Sequence, residues 1–152
     1  MQVLECRVTY RRTKSVVPKA RISNAVDAIA YLREAFDSRP HQEQMWVVLL
    51  DRKNHPLGRH LATIGTTTST MVNPAVIFRA AILAGASAVI VAHNHTSGDP
   101  APSAADLQVT RQLQHAARSV DIEMLDHVVI GDRELDPAGL GHYSFHDAKL
   151  LL

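Results

Sequence analysis

Cysteine is nearly absent from this sequence of 152 residues, in which Cys6 is the only one. A single cysteine excludes an internal disulfide and a zinc cluster made of thiolates, and it is typical of a protein from a reducing compartment. Any metal site in this chain must therefore use histidine and carboxylate side chains.

The sequence also lacks long apolar runs. No window approaches the roughly 18 to 20 apolar residues that a membrane-spanning helix needs. No basic stretch followed by an apolar segment of signal-peptide length stands at the beginning of the chain. These absences predict a cytoplasmic protein that has no membrane partner.

A marked excess of positive charge is missing as well. The 16 Lys and Arg residues against 15 Asp and Glu residues give a formal charge of +1. Domains that bind phosphate backbones are usually strongly basic, so the charge does not support a nucleic-acid partner. The length and the apolar fraction of 46% are instead typical of one soluble globular domain, which we expect to span residues 1–152.

Hydrophobic patterns predict helices that alternate with strands. The first helix, capped by Ser23 or Asn24, is indicated by an apolar stripe made of Val26, Ile29, Ala30 and Phe36. Further helices are predicted over 73–84 and 103–119, and strands over 2–11, 44–50, 56–64, 87–93, 122–125 and 128–130. This order of elements predicts a layered α/β domain.

The stretch His93-Asn94-His95 carries the first chemical signal. It ends a short apolar run over 87–92 that is rich in branched residues, as in a strand buried on both faces. Side chains two apart on a strand point to the same face, so His93 and His95 can converge on one point. A histidine at a strand end can equally be a hydrogen-bonded structural residue, and the pair alone leaves both interpretations open.

Ser103 and Asp106 supply a second signal at the predicted start of a helix. Alone, their spacing indicates a helix cap in which both side chains satisfy free backbone amides. Capping is compatible with metal binding, because a carboxylate in the first turn can face the strand end that carries the histidines. His93, His95 and Asp106 would then supply the roughly three protein ligands of a catalytic zinc.

Competing motifs can be excluded. The letters His-Asn-His do not indicate a nuclease of that name, whose residues are spread along a ββα unit rather than adjacent. A zinc protease helix of the His-Glu-x-x-His type is absent, and nucleoside deaminases use paired cysteines that this chain lacks. Neither of these zinc enzyme classes therefore explains the histidine pair.

The segment 93–106 has the sequence HNHTSGDPAPSAAD. It resembles the JAMM motif of JAB/MPN metalloproteases and, more closely, the HNHPSGDPxPSxxD motif of their RadC-like branch. Further segments that are similar to RadC-like proteins lie at 51–54, 125–132 and 143–145. The similarity covers about 43–143, and we expect the motif-bearing core of the domain over about 24–145.

This resemblance implies both a fold and a chemistry. The fold would be a three-layer α/β/α domain with a mixed sheet, similar to cytidine deaminases, and the cofactor would be zinc held by His93, His95 and Asp106. Glu43 would be the general base that takes a proton from the attacking water, and Ser103 would hydrogen-bond the developing oxyanion. The implied reaction is hydrolysis of a peptide or isopeptide bond in a peptide or protein substrate.

Two positions depart from the family pattern. Thr96 stands where RadC-like proteins usually carry proline. Asn73-Pro74-Ala75 stands where Pro-Arg-Glu is usual. The roles of that arginine and that glutamate are therefore not carried over to this chain.

Two other functions remain as alternatives. The first is a RadC-like binding module that keeps zinc without peptidase activity and acts through a protein or DNA partner. An intact Glu43 and Ser103 weigh against it, because a purely structural zinc is usually enclosed by four protein ligands. The second is a metal-dependent nuclease or phosphoesterase, which a three-ligand site and a near-neutral charge suit poorly.

Two further features have more than one interpretation. Asp126 and His127 form either a pair that orients a metal ligand or a pair that only satisfies itself at a strand start. The apolar end of the chain, over 150–152, can dock on the domain or on a second copy in a homodimer.

Overall fold

The computed structural model describes residues 9, 11–12, 20–37, 39, 41–65 and 72–151. The strand predicted over 2–11 lies almost wholly outside the described residues, and a threonine-rich loop expected over 66–70 lies wholly outside them. Within the described part of the chain, no helix combines the length and the apolar character needed to cross a membrane.

A mixed five-stranded sheet and three helices make up the described chain. The helices are α1 (Ala25–Asp37), α2 (Pro74–Ala84) and α3 (Ala104–Ser119). The strands are β1 (Gln44–Leu50), β2 (Pro56–Ile64), β3 (Ala88–Asn94), β4 (Glu123–Ile130) and β5 (His142–Ser144). They lie in the order β2-β1-β3-β4-β5, in which β3 and β4 run parallel and the other neighbours antiparallel.

The helices cover both faces of the sheet. On one face α1 packs in a core that includes Ala28, Leu32, Val48, Ile90 and Val128. On the other face α2 and α3 pack in a core that includes Val47, Ile77, Val91, Val109 and Leu113. Successive residues of β1 and β3 enter opposite cores, which explains why both strands are continuously apolar. The predicted three-layer α/β/α architecture is confirmed.

Local signals set the ends of α2 as the sequence predicted. Asn73 precedes the helix, and its Oδ1 accepts a hydrogen bond from the Ala75 N–H at 2.9 Å. Pro74 occupies the first turn, where its missing N–H costs nothing. Gly85 follows the helix at φ 66°, a left-handed conformation that favours glycine. The predicted bounds of β1 and β2 are also confirmed.

The buried face of α1 differs from the prediction. Ala25, Ala28, Leu32 and Ala35 are buried, whereas Val26 is 61% exposed. The buried residues recur at spacings of three and four, as a helix packed on a sheet requires. The predicted stripe is confirmed at Ile29 and Phe36, which pack against this core, and was wrong at Val26 and Ala30, which are exposed.

The two short strands predicted over 122–125 and 128–130 are one continuous strand, β4. Asp126 and His127 interrupt the apolar pattern, but both are buried within the strand. Strand β5, which pairs with the end of β4, was not predicted. Its three residues are too few to show an alternating pattern.

Candidate metal centre

His93, His95 and Asp106 bring their side chains together at the carboxyl end of β3. His93 Nε2 lies 3.1 Å from His95 Nε2 and 3.1 Å from Asp106 Oδ1. His95 Nε2 lies 3.4 Å from Asp106 Oδ2. One ligand atom from each residue lies within 4.8 Å of the other two. The three side chains could therefore hold one metal ion.

Strand alternation and the crossover after β3 produce this convergence. His93 continues the row of Val89 and Val91, which faces the core beneath α2 and α3. Helix α3 follows β3 directly in the chain and leads into the parallel strand β4, so its first turn, with Asp106, stands over the end of β3. Open α/β sheets commonly bind ligands in this position, outside the carboxyl end of a strand.

Asp106 is also part of the cap of α3. The Asp106 N–H donates to Ser103 Oγ at 3.2 Å, and Asp106 Oδ2 accepts from the Ser103 N–H at 2.7 Å. The Ser103 hydroxyl donates to the same Oδ2 at 2.6 Å. The predicted capping interpretation is confirmed, and the same carboxylate meets both histidine rings.

The loop between β3 and α3 is held against the end of β4. The His95 N–H donates to the Ile130 carbonyl oxygen at 2.9 Å, and the Asp132 N–H donates to the Gly98 carbonyl oxygen at 2.6 Å. A Cβ atom at Gly131 would overlap that Gly98 oxygen, so the close approach requires glycine there. The position of His95 therefore depends on β4 as well as on its own strand.

The same loop determines which nitrogen of the His95 ring carries the proton. His95 Nδ1 lies 2.8 Å from the Asp99 carbonyl oxygen. A carbonyl oxygen only accepts hydrogen bonds, so Nδ1 carries a proton. In the neutral ring, Nε2 then has the free lone pair and points towards His93 and Asp106.

A buried hydrogen-bond chain supports His93 from behind. His93 Nδ1 lies 2.9 Å from His127 Nε2, and His127 Nδ1 lies 2.6 Å from the Thr110 hydroxyl oxygen. The Thr110 hydroxyl donates to the Asp106 carbonyl oxygen at 2.6 Å, so its oxygen accepts the proton of His127 Nδ1. His127 Nε2 then accepts from His93 Nδ1, which leaves the His93 Nε2 lone pair for a metal.

The pKa values of the cluster reflect burial and the contacts of Asp106 with both rings. Burial raises the pKa of Asp106, but hydrogen bonds from His93, His95 and Ser103 outweigh burial and hold that pKa far below its usual range. The hydrogen bond to Asp106 raises the pKa of His95 against the opposing effect of burial. Burial holds the pKa of His127 well below its usual value, so its ring is neutral and its Nε2 can accept.

Glu43 immediately precedes β1, the strand that pairs with β3. Met45 pairs with His93 in the antiparallel register of β1 and β3, and Glu43 stands two residues before Met45, as His95 stands two residues after His93. Side-chain alternation gives Glu43 the same sheet face as Met45, which is the face of the ligands. Its charge contributes to the raised pKa of His95, after the larger effect of Asp106.

The partner of His127 is not the residue that the sequence suggested. Asp126 accepts from Ser144 Oγ at 2.6 Å and from the His146 N–H at 3.0 Å, and as the strand neighbour of His127 it points to the opposite face. Thr110, which does contact His127, was missed. Its place four residues after Asp106, on the same helix face, was the available signal.

Comparison with known proteins agrees with the motif. The sequence matches the RadC-like JAB domain family over residues 22–150, a span that includes every helix and strand described above. The chain belongs to this family. The RadC-like JAB domain thus contains all three candidate ligands, together with Glu43 and Ser103.

Similar proteins are found in several bacteria. The chain is 40% identical over 121 residues to a UPF0758 protein of Coprothermobacter proteolyticus. The alignment covers 78% of this chain and 52% of the relative. It is 37% identical over 148 residues to a UPF0758 protein of Chlorobaculum tepidum. That alignment covers 97% of this chain and 61% of the relative. The chain spans about half the length of these relatives, and their names state no activity.

Proposed function

We propose that this RadC-like JAB domain is a zinc-dependent metallopeptidase that hydrolyses a peptide or isopeptide bond in a peptide or protein substrate. The observation that carries the proposal is the convergence of two Nε2 atoms and one carboxylate, with the charge of a second carboxylate, that of Glu43, acting on the His95 ring. Three protein ligands that leave a position open are typical of catalytic zinc, whereas structural zinc usually has four.

The ligand residues fit zinc in atom type and in proton placement. Zinc binds imidazole nitrogen and carboxylate oxygen, and the hydrogen bonds at Nδ1 of His93 and His95 reserve both Nε2 atoms for it. Asp106 has a depressed pKa and is ionised at neutral pH. Zinc held there would supply Lewis acidity and lower the pKa of water to roughly 7.

Glu43 is the proposed general base. Its carboxylate is not one of the three converging ligand groups, yet its charge acts on the His95 ring. It would take a proton from the attacking water and pass that proton to the leaving amine. Both proton transfers require a carboxylate close to the metal ligands.

The proposed role of Ser103 requires a change in its hydrogen bonding. Its hydroxyl donates to Asp106 Oδ2, while a role at the oxyanion requires the same proton to point to the substrate oxygen. Rotation about the Cβ–Oγ bond is sufficient for this change. The Ser103 N–H still donates to Oδ2 after the rotation, so the cap of α3 persists.

Thr110→Val is expected to weaken zinc binding about 10- to 100-fold, as is usual when a group that orients a metal-bound histidine is lost. The substitution keeps the side-chain shape but leaves His127 Nδ1 without its acceptor. The Kd for zinc is measured by competition with a chelating dye. Thr110→Ser keeps the hydroxyl and serves as the control. Equal affinities of the two variants would contradict the hydrogen-bond chain.

Metal-dependent cleavage is the test of the proposed function. Zinc-loaded protein is incubated with a diverse peptide library and with isopeptide-linked protein conjugates, and the products are identified by mass spectrometry. We expect cleavage that chelation abolishes and added zinc restores. His95→Ala, which removes one ligand, should give no cleavage under any of these conditions.

The opposite result would favour the binding module. In that case the protein carries about one zinc per chain, as a three-ligand site allows, and cleaves neither the peptide library nor the isopeptide-linked conjugates. Saturable binding of a protein or DNA partner by the same preparation would then replace the peptidase proposal. Zinc-dependent nicking of plasmid DNA that is lost in His95→Ala would instead support a nuclease.

A further inference from the structure

The side chain of Asn94, the middle residue of the histidine segment, joins β3 to the segment that carries Glu43. Asn94 Oδ1 accepts from the Gln44 N–H at 2.8 Å, and Asn94 Nδ2 donates to the Gln42 carbonyl oxygen at 3.1 Å. Gln42 and Gln44 flank Glu43 in the chain. One amide group therefore holds the peptide bonds on both sides of Glu43.

These contacts restrict the backbone of Glu43 itself. Glu43 stands one residue before β1 begins, where a chain usually has fewer ladder hydrogen bonds. The Glu43 carbonyl oxygen accepts from the Gly65 N–H at 2.8 Å, which adds a third hydrogen bond across this short segment. With both neighbouring peptide groups and its own carbonyl held, Glu43 has little freedom to rotate about φ or ψ.

Asn94 takes the place of a main-chain pair at the end of β3. The next backbone donor, the His95 N–H, is directed to Ile130 in β4 rather than to β1. A side-chain amide has the same donor and acceptor types as a peptide group, so Asn94 can continue the pairing towards Gln42 and Gln44. An aliphatic residue could not do this, although it would suit the buried strand equally well.

The side chain of Gln44 fixes which way Glu43 faces. Gln44 is fully buried, and its Nε2 donates to the carbonyl oxygens of Phe36 and Arg39 at 3.2 and 3.1 Å, on the α1 side of the sheet. Adjacent side chains of an extended segment point to opposite faces. The anchored Gln44 thus directs Glu43 to the face that carries His93 and His95.

We propose that Asn94 is a positioning residue that fixes the Glu43 carboxylate relative to the metal ligands. This inference rests on the proposed role of Glu43 as the general base. Because Asn94 lies between His93 and His95, one three-residue segment sets two of the three ligands and, through β1, the base. The His-Asn-His sequence then acts as a single unit in which each residue has its own task.

Cobalt substitution measures the position of Glu43 without any substrate. Co²⁺ is bound in place of zinc, and the paramagnetic relaxation of the Glu43 side-chain carboxyl carbon is recorded in protein labelled with ¹³C-glutamate. The signal is assigned by its absence in Glu43→Gln. Asn94→Ala should bind Co²⁺ at the wild-type stoichiometry and show a several-fold loss of this relaxation, which falls steeply with distance from the ion.

Two variants make the outcome specific. Asn94→Asp keeps the acceptor for the Gln44 N–H but loses the donor to Gln42, so its loss of relaxation should be intermediate. If Asn94→Ala does not fold, Asn94→Asp alone provides the test. Asn24→Ala removes another asparagine contact to the backbone, the bond from the Asp27 N–H at the start of α1, and should leave the relaxation unchanged. Unchanged relaxation in Asn94→Ala and Asn94→Asp would overturn the proposal and leave Asn94 a purely structural residue.

Kinetics gives a second readout once a substrate is known. A displacement of the base on the order of 1 Å should lower kcat about 10²-fold in Asn94→Ala and change KM little. Adding Asn94→Ala to Glu43→Gln should cause no further loss, because both act through one carboxylate. If the wild type hydrolyses nothing, the peptidase proposal fails, whereas the relaxation experiment still decides where Asn94 places Glu43.

Discussion

Asp106→Ala is expected to yield purified protein without zinc, whereas the wild type should carry about one zinc per chain. The substitution removes one of three ligand groups and leaves two imidazoles. If the roughly 10–16 kcal/mol of a four-ligand zinc site is shared among its ligands, the loss of one weakens binding about 10²- to 10³-fold. Elemental analysis of the purified variants measures the change.

Two further variants separate loss of the ligand from loss of the helix cap. Asp106→Asn keeps the shape and an acceptor for the Ser103 N–H, so α3 keeps its start while the charged ligand is lost. Ser103→Ala removes the serine side of the cap at a cost of about 1 kcal/mol in stability and should retain zinc. Full zinc content in Asp106→Asn would contradict the assignment of Asp106 as a ligand.

Glu43→Gln is expected to lower kcat about 10²- to 10⁴-fold, the usual contribution of a general base. Glutamine has nearly the same shape but does not take a proton from water. Zinc content should remain at the wild-type level, because Glu43 is not one of the converging ligand groups. Initial rates on a substrate found in the library, together with elemental analysis, test both statements.

Glu34→Gln is the matched control for that change. It neutralises a carboxylate on an exposed position of α1, in the layer on the far side of the sheet, and should keep wild-type activity. Undiminished cleavage by Glu43→Gln would refute the role of Glu43 as the base. Loss of zinc together with activity would mean that Glu43 is a metal ligand instead.

Sequence signals predicted the three residues that converge in the structure, because each candidate ligand has a local marker. The spacing of two between His93 and His95 is meaningful as soon as a strand is recognised, and the apolar run before them identifies the strand. Asp106 is marked by the cap that it forms with Ser103. The alternation of side chains along a strand and the capping of a helix both depend on residues that are close in the chain. They can therefore be recognised without knowledge of the tertiary structure.

The contacts behind the ligands could not be predicted in the same way. Thr110 meets His127 because α3 crosses over the sheet beside β4, and Asn94 meets Gln42 and Gln44 because β1 pairs with β3. Both contacts join residues far apart in the chain. Their partners are fixed by strand order and register, which local patterns of hydrophobicity do not specify.

The buried face of α1 shows a related limit. A pattern of large apolar residues favours Val26, yet Val26 is exposed while Ala25 and Ala28 are buried. Whether an alanine is buried depends on how near its helix lies to the layer beneath, which is a property of the assembled fold. Composition along one helix therefore indicates that a face is buried without showing which one.

Asp106, His93 and His95 are hydrogen-bonded to Ser103, to His127 and to the loop carbonyl of Asp99, respectively. Small zinc domains, by contrast, remain unfolded until the ion arrives. Here the cap of α3, the buried His127 and the loop after β3 each orient one of the three side chains. A domain of this kind could release its ion and bind it again without unfolding.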